Sequence, residues 1–294
     1  MPFGLVNSAQ TFSNIMRKLL HGMKNVHNYI DDILIHTETW EEHVTLLKEV
    51  MKRLRKAGFT ARPTKCQIGS SEIEFLGHVV GKGVMKPRSK KVEDIKSAKR
   101  PETKTQLRSF LGLVGYYRKF IPNFASVAVP LTDRIRKGEP NRIKWEESQE
   151  KAFNTLKHRV TSAPILHLPD LTLIFILRSD ASEVGLGAVL LQEKNGEKFP
   201  TAYASKKMTP CQKRYSVIEK ECLAIVWAVR KFQTFLFGKE FVIETDHQPL
   251  ACIKKSKVLN ARIMRWALAL QPYRYRLEVI KGSKLWRGRL WLGY

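Results

Sequence analysis

Two adjacent carboxylates interrupt an apolar stretch near the start of this 294-residue sequence. Asp31 and Asp32 lie within the segment NYIDDIL at positions 28–34. The flanking pattern predicts a hairpin of two short strands with the carboxylates at its tip. Burying an ionised carboxylate costs several kcal/mol or more unless it is paired or binds a metal, and adjacent carboxylates also repel each other. The pair therefore indicates a turn that holds divalent cations.

Three further carboxylates lie where predicted elements could bring them together. Asp180 and Asp246 each end a predicted strand, and Glu221 lies in the intervening helix, shortly after its capping residues Ser216 and Glu219. Acids that converge around Mg²⁺ would suit phosphodiester hydrolysis, in which one metal activates water and a second steadies the leaving oxygen. The alternative is that these acids face solvent at strand ends without a common role.

The elements around these acids predict an α+β fold. A helix is predicted over residues 39–58 and a strand pair or bent strand over 73–80. Residues 82–162 are helical, basic and interrupted by proline, with a capping box at Thr103 and Gln106. Residues 164–170 read as a linker. The rest is predicted as strands 173–177, 185–192, 199–205, 241–245 and 273–280, a hairpin turn at Asn195-Gly196, and helices over 216–237 and 262–270.

The composition favours a nucleic acid partner. Formal net charge is +25 and the hydrophobic content is 43%, so the chain is globular and strongly basic. Such a surplus suits binding to a polyanion, although a basic surface without a partner is the alternative because the charge is spread along the chain. The four cysteines show no zinc-site or disulfide spacing, which favours a reducing compartment. No apolar run of about 18 residues predicts a membrane span.

An ordered set of motifs resembles one family. These are MPFGL at 1–5 with Phe12, YIDD at 29–32, FLGH at 75–78, LRSFLGL at 107–113, YYRKFI at 116–121, SDAS at 179–182, YS at 215–216 with Glu221, and TDH at 245–247. Together they resemble the reverse transcriptase and ribonuclease H part of the Pol polyprotein of gypsy-type long-terminal-repeat retrotransposons. The resemblance implies a partial polymerase palm over 1–85, a thumb or connection-like helical region over 86–167, and an RNase H-like mixed sheet with helices over 168–294 that lacks its C-terminal helix.

The resemblance also implies roles for the acids. Asp31 and Asp32 would bind the Mg²⁺ ions of a polymerase site, and Asp180, Glu221 and Asp246 would bind those of an RNase H site. Mn²⁺ can take the place of Mg²⁺ in such sites.

The implied substrate contacts lie in four motifs. Phe3 and Gly4 would approach the nucleotide, Tyr29 the primer end, Gly77 the primer grip, and Arg118 and Lys119 the duplex backbone. The implied partners are primer-template, RNA–DNA hybrid and deoxynucleotides, and the implied location is intracellular, in cytoplasm, nucleus or retrotransposon particles.

Two departures from the family pattern bear on activity. The family's polymerase site has a third aspartate upstream of the first motif in this sequence. Its RNase H site has a fourth acid in an Ala-Asp-Ala-Leu stretch, whereas residues 281–294 contain no acid. The resemblance therefore implies an RNA-directed DNA polymerase with a ribonuclease H domain that is impaired by truncation. A non-catalytic nucleic-acid-binding remnant is the alternative.

The missing third aspartate leads to a direct expectation. We expect the 294-residue chain alone not to extend a primer, because two carboxylates hold the metals less well than three. The measurement is incorporation of labelled deoxynucleotides on a primed RNA template in Mg²⁺ and in Mn²⁺. Template-directed extension that Asp31→Asn abolishes would contradict the expectation.

Overall fold

A computed structural model describes residues 6–245 and 261–280 of the chain. Phe3, Gly4 and Asp246, three of the predicted site residues, lie outside the described residues. The chain has the predicted α+β composition and divides into two compact units, Met1–Leu76 and Gly77–Tyr294. The predicted domain boundaries after residues 85 and 167 remain predictions.

The first unit surrounds the predicted hairpin with two helices. Thr39 begins the second helix by accepting a hydrogen bond from the Glu42 amide at 3.3 Å, as its capping sequence predicts. Arg53 of that helix donates to the carbonyls of Leu19 and His21 at 3.1 and 3.0 Å, which ties the two helices together. The elements are α1 (Ser8–Leu19), β1 (Val26–Tyr29), β2 (Asp32–Ile35), α2 (Trp40–Lys56) and β3 (Glu72–Phe75).

A small antiparallel sheet begins the second unit. It contains β4 (His78–Gly81), β5 (Val84–Pro87) and β6 (Leu166–His167). The prediction of a linker over residues 164–170 was wrong in part, because β6 pairs with β5 and Leu166 is fully buried. A strand of two residues is too short to show the alternation of apolar and polar residues from which strands are predicted.

Helices fill the sequence between β5 and β6. The capping box of Thr103 and Gln106 is present at the start of the second of these helices. They are α3 (Ser89–Lys96), α4 (Lys104–Tyr116), α5 (Phe124–Val127), α6 (Val129–Arg134) and α7 (Glu147–Thr161).

A five-stranded mixed sheet follows. The strands are β7 (Phe175–Ala181), β8 (Gly185–Lys194), β9 (Glu197–Lys207), β10 (Glu240–Thr245) and β11 (Arg274–Val279). Their order is β11-β10-β7-β8-β9, with β7, β8 and β9 antiparallel and with β10 parallel to both β7 and β11. Asn195 and Gly196 both have positive φ, 55° and 80°, as the predicted two-residue turn requires.

In the described part of the chain, four helices accompany the sheet: α8 (Pro210–Lys213), α9 (Val217–Lys231), α10 (Gln233–Leu236) and α11 (Ala261–Leu270). The helix predicted over 216–237 is interrupted, since α9 ends at Lys231 and Phe232 separates it from α10. Among the described residues, no helix combines the length and the apolar composition needed to span a bilayer.

Both faces of the five-stranded sheet are covered. One face packs against α9 through Phe175, Leu177 and their neighbours. The other packs against the helices of residues 89–161, because Ile176, Val189 and Tyr203 belong to the same core cluster as Leu107 and Leu156. The helical region and the sheet therefore share one hydrophobic core.

A buried ion pair crosses the centre of this sheet. Glu244 of β10 is 2% exposed and lies opposite Arg178 of β7, whose Nε is 2.5 Å from Oε2. The ammonium of Lys198 binds the other carboxylate oxygen. Burial by itself would raise the pKa of Glu244, but the hydrogen bonds from Lys198 and Arg178 hold it below its ordinary value.

This ion pair gives a stability prediction. Glu244→Gln should lower the free energy of unfolding by about 3–5 kcal/mol, because it removes the buried carboxylate that pairs with Arg178 and Lys198. Chemical denaturation at neutral pH measures the difference. The control is Glu193→Gln, which removes the exposed carboxylate 3.8 Å from the same Lys198 and should change stability by less than about 1 kcal/mol. Equal effects of the two variants would contradict the prediction.

Candidate nucleic acid and metal sites

The hairpin places Asp31 and Asp32 at its tip, as predicted. Tyr29 pairs with Asp32 across the hairpin, and Ile30 adopts a left-handed φ of 55° in the turn. Both acids are exposed, and Tyr29 is 54% exposed. The cost of burying a carboxylate therefore does not apply to these acids, because the strands are short and the turn leaves both acids exposed.

An open groove adjoins the hairpin acids. Its volume is about 550 Å³, and it is lined by both aspartates, by Leu47 and Met51 of α2, and by Lys65. Carboxylates and cations both line the groove, which gives it mixed polarity. Exposed carboxylates attract cations weakly in a high-dielectric environment, so a metal here requires further ligands.

The predicted primer-grip glycine lies against an aromatic cluster. Gly77 has φ of 70°, and a Cβ built there would come within 3.1 Å of the Tyr116 ring. Tyr117 donates a hydrogen bond from its hydroxyl to the Gly77 carbonyl at 2.9 Å. His78 stacks on Tyr116, with ring centroids 5.3 Å apart, and meets Tyr117 edge-on. A glycine at this position is required by both its backbone conformation and its neighbours.

A cavity of about 420 Å³ adjoins the same cluster. Gly77, Tyr116 and Tyr117 line it, together with the cations Arg88 and Lys91, which the sequence analysis did not single out. Arg88 directly precedes α3, and its position beside an aromatic ring depends on long-range packing that no local motif indicates.

The two predicted phosphate contacts differ in their surroundings. Arg118 is exposed, whereas Lys119 is partly buried, with its ammonium 3.0 Å from the sulfur of Met85. Burial lowers the pKa of Lys119. Arg118 and Lys91 are therefore the most accessible of these cations, whereas Arg88 is half-buried beside the cavity.

Asp180 and Glu221 lie at the same end of the mixed sheet. Ala181, next to Asp180, packs in one small cluster with Leu186 and with Ala224 of α9. Glu221 lies three residues before Ala224 on the same side of α9, one turn nearer the helix start, and is only 8% exposed. Asp246 follows Thr245, the last residue of the parallel neighbour β10, and lies outside the described residues.

The other acids near Glu221 have structural partners. Glu219 accepts from the Ser216 amide at 2.9 Å and forms an ion pair with Arg262 at 2.7 Å. This confirms that Glu219 serves the cap of α9. Burial raises the pKa of the Cys222 thiol to about 11, with further contributions from Glu221 and Glu219, so this thiol stays protonated at neutral pH.

Within residues 6–245 and 261–280, no three His, Cys, Asp or Glu side chains are grouped closely enough to hold a metal ion. Two carboxylates, Asp180 and Glu221, approach one end of the sheet in that part of the chain. Carboxylate oxygens are ligands that Mg²⁺ and Mn²⁺ accept, so the donor chemistry fits a divalent cation.

The buried histidine of the aromatic cluster gives a pH prediction. Burial, with a smaller effect from the charge of Lys119, lowers the pKa of His78 from 6.5 to about 4. The unfolded chain therefore binds a proton more readily than the folded chain, and stability falls as the pH decreases from about 6.5 to about 4.

His78→Phe should remove this part of the acid sensitivity, as measured by thermal unfolding across that pH range. It should not destabilise the protein at pH 7, because Nδ1 of His78 has no hydrogen-bond partner among the described residues. The control is His158→Phe, which changes an exposed histidine of α7. An unchanged pH profile for His78→Phe would count against the prediction.

Two family models match the chain. Residues 1–80 match the reverse transcriptase (RNA-dependent DNA polymerase) family, and residues 170–273 match the RNase H-like domain found in reverse transcriptase. The second match begins just before β7 and includes Asp180, Glu221 and Asp246.

Solved structures of foamy viral protease-reverse transcriptase are also similar. The dRH form in complex with double-stranded DNA is 26% identical, with a TM-score of 0.85 over 95% of this chain and 50% of that one. The protein in complex with an RNA/DNA hybrid is 26% identical, with a TM-score of 0.81 over 96% of this chain and 39% of that one.

Curated relatives match along nearly the whole chain. The Pol polyprotein from transposon 297 of Drosophila melanogaster is 39% identical over 97% of this chain and 26% of its own length. The transposon Tf2-3 polyprotein of Schizosaccharomyces pombe is 33% identical over 96% of this chain and 22% of its own. The chain thus spans about a quarter of the length of these relatives. It belongs, through a reverse transcriptase segment and an RNase H-like segment, to the retrotransposon Pol polyproteins.

Proposed function

We propose that this chain binds RNA–DNA duplexes and cleaves their RNA strand, as the RNase H-bearing part of a retrotransposon RNA-directed DNA polymerase. The observation that supports this most is the position of Asp180 and Glu221 at one end of the mixed sheet. The strand that leads to Asp246 lies parallel beside β7, so its carboxyl end is directed toward the same edge.

Charge and cavities support the choice of partner. A formal net charge of +25 favours association with the phosphates of a duplex, and such association weakens steeply with salt. Arg88, Lys91 and Arg118 are the proposed backbone contacts. Backbone contacts need no base reading, which suits an enzyme that acts on any sequence. The similar foamy viral structures contain double-stranded DNA or an RNA/DNA hybrid.

Divalent cations would complete the RNase H site. Asp180 and Glu221, with Asp246, would hold Mg²⁺ or Mn²⁺, and the bound ions would supply Lewis acidity and activate water. The protein's own contribution is to hold these carboxylates in fixed positions. The low exposure of Glu221 strengthens its attraction for a cation relative to that of a solvated carboxylate.

The hairpin acids would serve the polymerase reaction. Asp31 and Asp32 would hold Mg²⁺ together with the phosphates of a deoxynucleotide, and Tyr29 would contact the primer end. Mg²⁺ commonly binds through one or two carboxylates and substrate phosphates, so exposed acids suit a metal that arrives with the nucleotide.

Cleavage of a labelled RNA–DNA hybrid tests the proposal. Asp180→Asn and Glu221→Gln should each reduce cleavage by more than about 100-fold, the upper end of the effect of losing an outer-shell partner. Duplex affinity should change little. The control is Glu240→Gln, at the opposite end of β10 from Asp246, which should cleave as the unchanged chain does.

The same experiment decides the alternative of a non-catalytic binding protein. If the chain binds duplexes in a salt-sensitive way but shows no cleavage that depends on Asp180, the alternative of a binding protein is correct and the proposed activity is wrong. Cleavage of the DNA strand at an equal rate would also overturn the proposal.

A further inference from the structure

An ion pair joins the start of α9 to the loop that follows Asp180. The Lys220 ammonium lies 3.1 and 3.0 Å from the two carboxylate oxygens of Glu183. The Lys220 side chain is 7% exposed, whereas that of Glu183 is 84% exposed. A lysine is almost never buried to this degree unless it is paired, so Glu183 is what permits its position.

The two partners are close in sequence to the two described acids of the RNase H site. Lys220 directly precedes Glu221, and Glu183 follows Asp180 by three residues. The loop that contains Glu183 is itself fixed, because the Ser182 hydroxyl accepts from the Gly185 amide at 3.0 Å and lies 3.0 Å from the Gly185 carbonyl. The ion pair therefore links the element that bears Glu221 to the element that bears Asp180.

A second contact holds the same helical turn. Arg262 of α11 forms its ion pair with Glu219 and lies over the Tyr215 ring, 4.0 Å from the ring centroid. Glu219 and Lys220, the two residues that precede Glu221, are thus anchored to different elements. With its first turn held at two points, α9 cannot shift along the sheet without breaking one of them.

We propose that Lys220 and Glu183 are positioning residues that set the place of Glu221 relative to Asp180. The proposal rests on the proposed RNase H function for the identity of the site. Neither residue touches substrate in this role. Their contribution is to keep two carboxylates at the separation that one divalent cation requires, at the point where β7 ends and α9 begins.

The sign of the charge effect makes the proposal testable. Lys220 is a cation close to a cation-binding site, so its charge alone opposes metal binding. If charge were its only influence, Lys220→Met would tighten the binding of Mn²⁺. If Lys220 positions Glu221, the same substitution weakens binding, because the carboxylates lose their fixed separation.

The experiment measures Mn²⁺ affinity of the full chain without nucleic acid by electron paramagnetic resonance. The site is identified as the Mn²⁺ binding that Asp180→Asn removes. We expect Lys220→Met to weaken that binding about tenfold, as loss of an outer-shell partner does. Lys220→Arg, which keeps the charge, should bind Mn²⁺ within about twofold of the affinity of the unchanged chain. Unchanged or tighter binding by a folded Lys220→Met variant would overturn the proposal.

Amide hydrogen exchange in the metal-free chain provides a second, independent measurement. Glu183→Gln, a change at an exposed position, should accelerate exchange of residues 220–223 severalfold, since it removes the countercharge of Lys220. The control is Arg136→Met, which removes an exposed ion pair with Asp133 in the helical region and should leave these amides unchanged. Protection of residues 220–223 that is equal in the Glu183→Gln and unchanged chains would overturn the positioning role.

The two measurements separate this proposal from the proposed function. If the unchanged chain neither binds Mn²⁺ through Asp180 nor cleaves a hybrid, the proposed function fails, and with it the metal-positioning role of Lys220. Faster exchange in Glu183→Gln would then assign the ion pair to the stability of α9 alone. If the unchanged chain binds and cleaves but Lys220→Met does the same, only the positioning role fails.

Discussion

The parallel pairing of β10 with β7 is the constraint on which the second unit depends. Two parallel neighbours cannot be joined by a hairpin, so the chain between them must cross over the sheet, and α9 lies within that connection. The pairing directs the carboxyl ends of both strands to one edge. Because core clusters cover both faces of the sheet, that edge is where acidic side chains can meet water and metal.

Two kinds of acid occur in this part of the fold, and their surroundings separate them. Glu244 is the last but one residue of β10 and is almost fully buried, and its two carboxylate oxygens bind Arg178 and Lys198. Asp180 is likewise the last but one residue of β7 but is only half-buried, and Glu221 lies on α9. A buried acid is tolerated in a strand when cations pair with it. Neither residue type nor position along the strand distinguishes these cases, whereas burial and the neighbouring strand do.

Local patterns predicted the elements well because the interactions that define them are local. The capping boxes at Thr103 and Ser216 and the turn at Asn195-Gly196 each involve residues within four positions of one another. The α+β class and the order of the segments followed from such patterns together with the family resemblance.

Contacts between distant residues could not be predicted from the same patterns. The pairing of β5 with β6 joins residues about 80 positions apart, and the hydrogen bond from Tyr117 to Gly77 spans 40. The Lys220–Glu183 pair spans 37 positions. The sequence gives no sign that these two residues are paired, because each resembles an ordinary charged surface residue. They meet only because the connection that contains α9 returns across the sheet.

Exposure also separates the two acid sites in a way that sequence could not indicate. Asp31 and Asp32 are exposed at a hairpin tip, while Glu221 is almost fully buried. A chain with a net charge of +25 repels free divalent cations, and exposed carboxylates attract such cations only weakly because water screens the attraction. In the proposed function, the hairpin acids would therefore depend on ligands that a nucleotide or a duplex supplies. The acids of the sheet have a lower-dielectric setting and fixed neighbours, so their attraction for a cation depends more on the protein itself.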